Sequence, residues 1–374
     1  SPCVERGMKA KTLFAGSIAL LLAACGGGGD TTAPVTPAPP PAAGSAWDPV
    51  TTAVDAAFAR NVVPGLAVAV YAPDGQLLYS RVRGDFALDR NIAVASASKM
   101  VSGVVLLRLV DQGFLSLDST TGAVLGWTGP QAAITLRQLL SFTSGLPVSF
   151  RVGDDCTMDR AITLAQCVAD LATRPLVAAP GTRFDYGSSH LAVAARMAEV
   201  VTGSDWTQVA AQQLGTPLGW ASSVAWYTAP RQQLGTSNPL VAGGLRITTQ
   251  EYARFLGVVY NRGTHDGQRL LASALVDQMG VDPFPAATTG SSPYERFGLT
   301  REYGLTAWLE CTTPASGCQD ITSPGALGFT PWIDRDGRYY AIVAMESQEL
   351  GEISQFSVQL SLDLQPLIRA AVPR

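Results

Sequence analysis

Apolar and polar positions along this chain switch between a helical period and an extended one, and the switches lay out its elements. Between 48 and 61 (DPVTTAVDAAFARN), Val50, Val54, Ala57 and Phe58 recur at helical spacing, so an amphipathic helix is predicted, broken at Pro64-Gly65. Leu66 to Tyr71 is an unbroken apolar run, the pattern of a buried strand. Asp74-Gly75 then turns the chain into Leu77 to Val82, and the two runs read as a hairpin. Residues 97–113 (ASKMVSGVVLLRLVDQG) are apolar and helical, with Gly113 as the stop. Ser96 therefore stands where a helix begins.

From about 115 to 290 the pattern is mostly helical with long loops; helices are predicted over 134–141, 160–172, 189–202, 205–214 and 249–261. Strand patterns return at 303–310, 326–333 and 338–346, the last two joined by Asp336-Gly337, and 352–371 reads as an amphipathic helix. Strands near both ends with helices between them predict an α+β fold. One antiparallel sheet flanked by helices would be completed by both ends of the chain, with an inserted helical lobe at 115–290. A ligand site is expected in the cleft between sheet and lobe. No internal repeat is visible.

The N-terminus breaks these patterns. Lys9 and Lys11 precede an apolar run from Leu13 to Ala24 that ends at Cys25, so 1–25 reads as upstream residues and a signal peptide. Leu22-Ala23-Ala24-Cys25 resembles a bacterial lipobox, with Cys25 acylated; an ordinary signal peptide cut after an Ala-x-Ala-like site is the alternative. Residues 26–46, rich in Gly, Thr, Ala and Pro, form a flexible spacer, and the folded domain is expected over 47–374. The expected address is the bacterial cell envelope. There the chain would be lipid-anchored at the outer membrane's periplasmic side, or else periplasmic or secreted, and would touch a membrane only through a lipid on Cys25. A net charge of −4 without a basic cluster gives no case for a nucleic-acid partner.

Export makes the cysteines informative. Cys156 and Cys167, and Cys311 and Cys318, form two close pairs that suggest disulfides. The alternative, a four-cysteine metal site, lacks CxxC spacing, and with only His190 and His265 in the chain no metal is expected.

The candidate chemistry starts at Ser96-Ala97-Ser98-Lys99. Residues three apart on a helix face the same way, so the Lys99 amine reaches the Ser96 hydroxyl and can accept its proton if burial lowers its pKa. Lys99 is the single lysine after the signal segment. Every later cation is an arginine, which cannot serve as a base. Tyr186-Gly187-Ser188, within PGTRFDYGSSH, is the second element. A Tyr186 phenolate held by a nearby ammonium could take the serine proton and return it to a leaving group. His190, four residues on, is assigned to helix packing, Trp308 and Trp332 to core or pocket wall, and Asp185 and Asp85 to ordinary solvated positions.

In this order these motifs resemble the serine β-lactamase-like superfamily. The nearest likeness is to the branch holding class C β-lactamases, family VIII carboxylesterases, D-aminopeptidases and 6-aminohexanoate-dimer hydrolases. The likeness covers about 50–370 and includes ITLRQLLSFTSGLP (134–147) and AGGLRITTQEYARF (242–255). It implies an acyl-enzyme on Ser96, proton transfer shared by Lys99 and Tyr186, no cofactor, and a role for Ser188 in bonding the lysine or the substrate. The third motif, usually K-T-G, H-x-G or W-x-G, is matched best by Ser323-Pro324-Gly325, which is otherwise simply a loop before a strand. On that match Ser323 and Gly325 line the substrate, and the Ala326 N–H joins that of Ser96 in an oxyanion hole. The missing cation argues against lactam hydrolysis unless Arg246 or Arg335 replaces it. The expected activity is cleavage of a small-molecule ester or small amide. D-amino-acid peptidase or β-lactamase activity, or a silent binding protein of this fold, are the rivals. The motif G-x-S-x-G of α/β-hydrolases is absent. Substrate access is expected to rest on the loops 146–160 and 284–300.

Overall fold

β1 (Gly65–Tyr71) is buried at every position because helices cover both faces of the sheet it belongs to. Leu66, Val68 and Val70 point to one face, where Val50 and Val54 of α1 (Asp48–Phe58) and Ile353, Phe356, Leu360 and Leu364 of α10 (Glu352–Ala371) pack on them. Ala67, Ala69 and Tyr71 point to the other, and the small alanines bring the central helices close. This accounts for the unbroken apolar run, which a strand with one wet face would not show. The computed structural model describes residues 44–149, 155–229, 232–297, 302–310, 320–347 and 352–373. Cys25, the signal and most of the spacer, and Cys311 and Cys318 with their suggested disulfide, lie outside the described residues.

The large sheet is antiparallel. β1 lies between β2 (Leu77–Gly84) and β14 (Tyr339–Met345), and beyond β14 follow β13 (Thr330–Asp334), β12 (Ile321–Thr322) and β11 (Trp308–Leu309). Both ends of the chain thus build one sheet, as the hydrophobic pattern implies. Between them come two small sheets and one hairpin. β3 (Ile92–Ala93), β5 (Ala225–Thr228), β6 (Gln233–Leu234) and β7 (Leu245–Ile247) form one sheet. β4 (Arg183–Asp185) pairs with β10 (Thr288–Ser291), and β8 (Thr264–His265) with β9 (Gln268–Arg269). None of these was legible as a strand, since each is two to four residues long.

The helices of the middle region are α2 (Ser98–Asp111), α3 (Thr121–Leu125), α4 (Leu136–Leu140), α5 (Leu164–Thr173), α6 (Ser189–Thr202), α7 (Trp206–Ala210), α8 (Thr249–Tyr260) and α9 (Ser273–Met279). Thr135, Thr163 and Thr248 start α4, α5 and α8 with capping boxes, each side chain accepting from the third helical N–H. α5 therefore begins at Leu164, four residues after the predicted start. α2 is buried along most of its length because it is the central helix, with α6, α7 and α9 among its neighbours. Cys156 and Cys167 form the suggested disulfide, tying the start of α5 to the loop before it. Two strand predictions were too long: 303–307 is a loop that enters the core through Thr306, and 326–329 is a turn closed by the Gly325–Phe329 bridge. Among the described residues no helix is long and apolar enough to cross a membrane.

Candidate active site

Ser96 lies at the sharp passage from β3 into α2, within a short 3₁₀ turn, Ala95–Ala97. Ala95 has φ of +44°, a left-handed conformation that an L side chain adopts at a cost of order 1 kcal/mol and that persists only where its surroundings hold it. Side-chain hydrogen bonds around the turn hold it there. Ser98 Oγ donates to the Ala95 carbonyl (2.5 Å) and accepts from the Leu245 N–H (3.0 Å), while Tyr252 Oη donates to the Ala97 carbonyl (2.8 Å). The half-buried Ser96 is thus presented at a helix start, where backbone N–H groups lack intrahelical partners.

One turn on, Lys99 is 2% exposed, and its Nζ donates to Ser96 Oγ (3.0 Å) and to the Ala242 carbonyl (2.8 Å). Burial lowers its pKa to about 7, so near neutrality much of it is a free amine able to accept a proton. The carbonyl that aims it belongs to the AGGL stretch, and the neighbouring Val241 carbonyl takes Ser102 Oγ of the same helix (2.8 Å). That stretch is legible in the sequence; its role as the anchor of Lys99 is not.

Tyr186 closes the centre. The Lys99 Nζ stands 4.5 Å from its ring centroid, and Ser96 and Trp308 are hydrogen-bond partners of its phenol. Burial nevertheless pushes the phenol up to about 12. This corrects the phenolate expectation: Tyr186 keeps its proton as a neutral phenol beside the lowered amine of Lys99. The ring is fixed by aromatic neighbours, stacking on Trp308 (5.3 Å) and meeting Phe142 (5.4 Å) and Tyr303 (6.1 Å) edge-on. Behind Trp308 lies Tyr294 at 4.0 Å, supplied by the 284–300 loop, and Ser291 of the same loop accepts the Tyr186 N–H (2.8 Å). The loop is thus part of the wall. Phe142 and Tyr303 are not legible as site residues in the sequence, since one phenylalanine or tyrosine in an apolar stretch carries no spacing signal.

His190 sits behind this wall, fully buried and stacked on Phe142 (4.9 Å). Its Nε2 lies 2.7 Å from the Asp185 carbonyl, which requires a donor there; Nδ1 then accepts from Ser144 Oγ (2.8 Å). Burial lowers its pKa to about 4 and keeps it neutral. The packing role is right, and it includes holding the residue before Tyr186. Asp185 is not solvated: it is 3% exposed and ion-paired with Arg183 (3.0 Å). Asp85 is exposed and paired with Arg90.

The third motif meets Ser96 from the other side. Ser323 is buried and its Oγ donates to the Ser96 carbonyl (3.0 Å), so its proton is committed to the protein backbone. Gly325 lies against the Val94 carbonyl, only 2.1 Å from where a Cβ would stand. The Ala326 N–H donates no hydrogen bond to any described residue. Ser188 is buried at the start of α6, and among the described residues no hydrogen bond joins it to Lys99. Neither arginine replaces the missing cation. Arg246 is held by Asn91, Gln232 and Glu346, and Arg335 by the Val259 and Tyr260 carbonyls that end α8. No group of His, Cys, Asp and Glu suited to a metal occurs among the described residues. Trp332 is in the core between the sheet and α10.

The family model for Beta-lactamase matches residues 50–353. Penicillin-binding protein 4 of Amycolatopsis lactamdurans is 32% identical over 197 residues, about half of each chain (48% and 49%). Lovastatin esterase of Penicillium rubens is 25% identical over 79% of this chain and 92% of its own. Among solved structures, one from Bacteroides dorei, assigned as a beta-lactamase, superposes with a TM-score of 0.74 at 28% identity, covering 86% of this chain and 98% of that one. Simvastatin synthase of Aspergillus terreus shares the fold, with a TM-score of 0.63 at 18% identity over 87% and 98%.

Proposed function

This chain belongs to the beta-lactamase family, and from that premise we propose that it is a serine hydrolase that cleaves a small ester through an acyl-enzyme on Ser96. The observation that carries the reading is the contact of a buried, partly neutral Lys99 amine with Ser96 Oγ at 3.0 Å. As Oγ attacks the ester carbonyl, its proton passes to the Lys99 amine. The oxyanion forms toward the Ser96 and Ala326 N–H groups. Collapse breaks the ester C–O bond; the leaving alkoxide takes the Tyr186 proton, and the Lys99 ammonium restores the phenol. Water then attacks the acyl-serine carbonyl, giving its proton to the same base, and Ser96 leaves as the alcohol.

An ester ranks above a β-lactam because Ser323-Pro324-Gly325 offers no cation for a lactam's carboxylate, and Arg246 and Arg335 are occupied elsewhere. The lovastatin esterase relative, alike along most of both chains, supports the same choice. Turnover of p-nitrophenyl butyrate by the wild type, lost in Ser96→Ala, tests it. The envelope address belongs to the same proposal, and release of the protein from membranes by Cys25→Ser tests that part.

A further inference from the structure

A second cleft of about 980 Å³ lies apart from this centre; none of Ser96, Lys99 or Tyr186 lines it. Its floor is a cross-strand pair, Tyr71 of β1 and Tyr340 of β14, aligned in register with rings stacked at 5.5 Å and 8°. Tyr71 is 7% and Tyr340 1% exposed, yet neither hydroxyl has a hydrogen-bond partner among the described residues. Burial acts alone to raise the Tyr71 phenol and leads for Tyr340, so both keep their protons. Neither oxygen is among the buried polar atoms left without a partner, so both hydroxyls open onto the cleft. Two side by side at its floor can bond an oxygen-bearing occupant. Space above them is kept by Gly257, where a Cβ would stand 3.0 Å from Tyr340 Oη.

The rim decides the class of occupant. Asp74 and Asp266 line the rim with Arg254, so with histidine counted neutral its formal charge is −1 and an anion or a polycation gains little. Asn261 spends its amide N–H groups on the Pro73 and Gly257 carbonyls, leaving its oxygen, and Gln250 offers a second planar amide. Pro217, Leu218 and Ala253 supply apolar wall. One planar amide that both donates and accepts, a second amide oxygen, two free phenols and a partly apolar wall match vicinal hydroxyls above C–H faces. We infer that this cleft is a second binding site, independent of Ser96, for a neutral saccharide.

The test is saturation-transfer NMR and calorimetry on the full chain with chitotriose, maltotriose and cellotriose. At least one is expected to bind with a Kd of about 1 mM or tighter. Binding should persist in Ser96→Ala and after fluorophosphonate labelling, and weaken at least about tenfold in Tyr71→Phe and Tyr340→Phe. Should a tyrosine variant fail to fold, Gln250→Ala and Arg254→Ala carry the same expectation from the rim. Failure of all three sugars to bind at about 10 mM overturns the inference. So does binding that the phosphonate blocks, or that none of the four cleft variants weakens.

Discussion

Ser323 Oγ donates to the backbone carbonyl of Ser96 across 3.0 Å, so the third motif reaches Ser96 through its main chain. Ser323→Ala removes one buried hydrogen bond, worth about 1 kcal/mol of stability. Loosening the turn that presents Ser96 should lower kcat about tenfold with KM little changed. Steady-state kinetics decide: a raised KM at constant kcat would mark Ser323 as a substrate contact instead.

Gly325 makes the same junction from its own side. A Cβ there would stand 2.1 Å from the Val94 carbonyl, two residues before Ser96. Gly325→Ala must push that strand end aside, and a shift of about 1 Å at a nucleophile costs on the order of 100-fold. A fall in kcat/KM of that size is expected in a protein whose circular dichroism is unchanged. Near-wild-type turnover would show that the contact is not needed.

The Lys99 pKa sets the pH profile. With the amine lowered to about 7 by burial, kcat/KM should rise as pH passes 7 and then level. Lys99→Arg, charged throughout, should be flat and inactive. The stability linkage has the same origin. The unfolded lysine keeps its proton up to about its ordinary 10.5, so between 7 and 10.5 the unfolded state holds more protons and stability rises with pH. Chemical denaturation of wild type against Lys99→Met across that window measures the difference, which the methionine should abolish.

His190 is neutral, with a pKa of about 4, and supports Tyr186 through the Asp185 carbonyl. His190→Ala leaves a cavity and an unmade hydrogen bond, so a loss of about 2–4 kcal/mol of stability and about tenfold in kcat is expected. The inflection near pH 7 should stay, because it belongs to Lys99. Its disappearance in the variant would move the base to His190.

Much of this was legible in the sequence where a pattern runs long. The apolar runs at 66–71 and 338–346 gave the central strands of one sheet, and S-x-x-K spacing put Lys99 beside Ser96. What escaped were contacts without a period: Phe142 and Tyr303 against Tyr186, the Ala242 carbonyl on Lys99, strands of two residues. Burial is a tertiary quantity, so the neutral Tyr186 and the ion-paired Asp185 could not be read from their neighbours in sequence. The occupied Arg246 and Arg335 were hidden for the same reason.

Substrate ranking follows from those arginines. The kcat/KM for p-nitrophenyl butyrate should exceed that for nitrocefin by at least about 100-fold, with D-alanyl anilides also poor. Efficient nitrocefin turnover would show that the missing cation does not matter, and efficient anilide turnover would favour a peptidase.

The central claim is that Ser96 is the nucleophile. Intact-mass spectrometry after incubation with a fluorophosphonate, followed by peptide mapping, tests it most directly. One adduct on Ser96, absent in Ser96→Ala together with a loss of at least about 10³ in kcat, is the result expected here. No adduct, an adduct on another residue, or undiminished turnover by Ser96→Ala would contradict it.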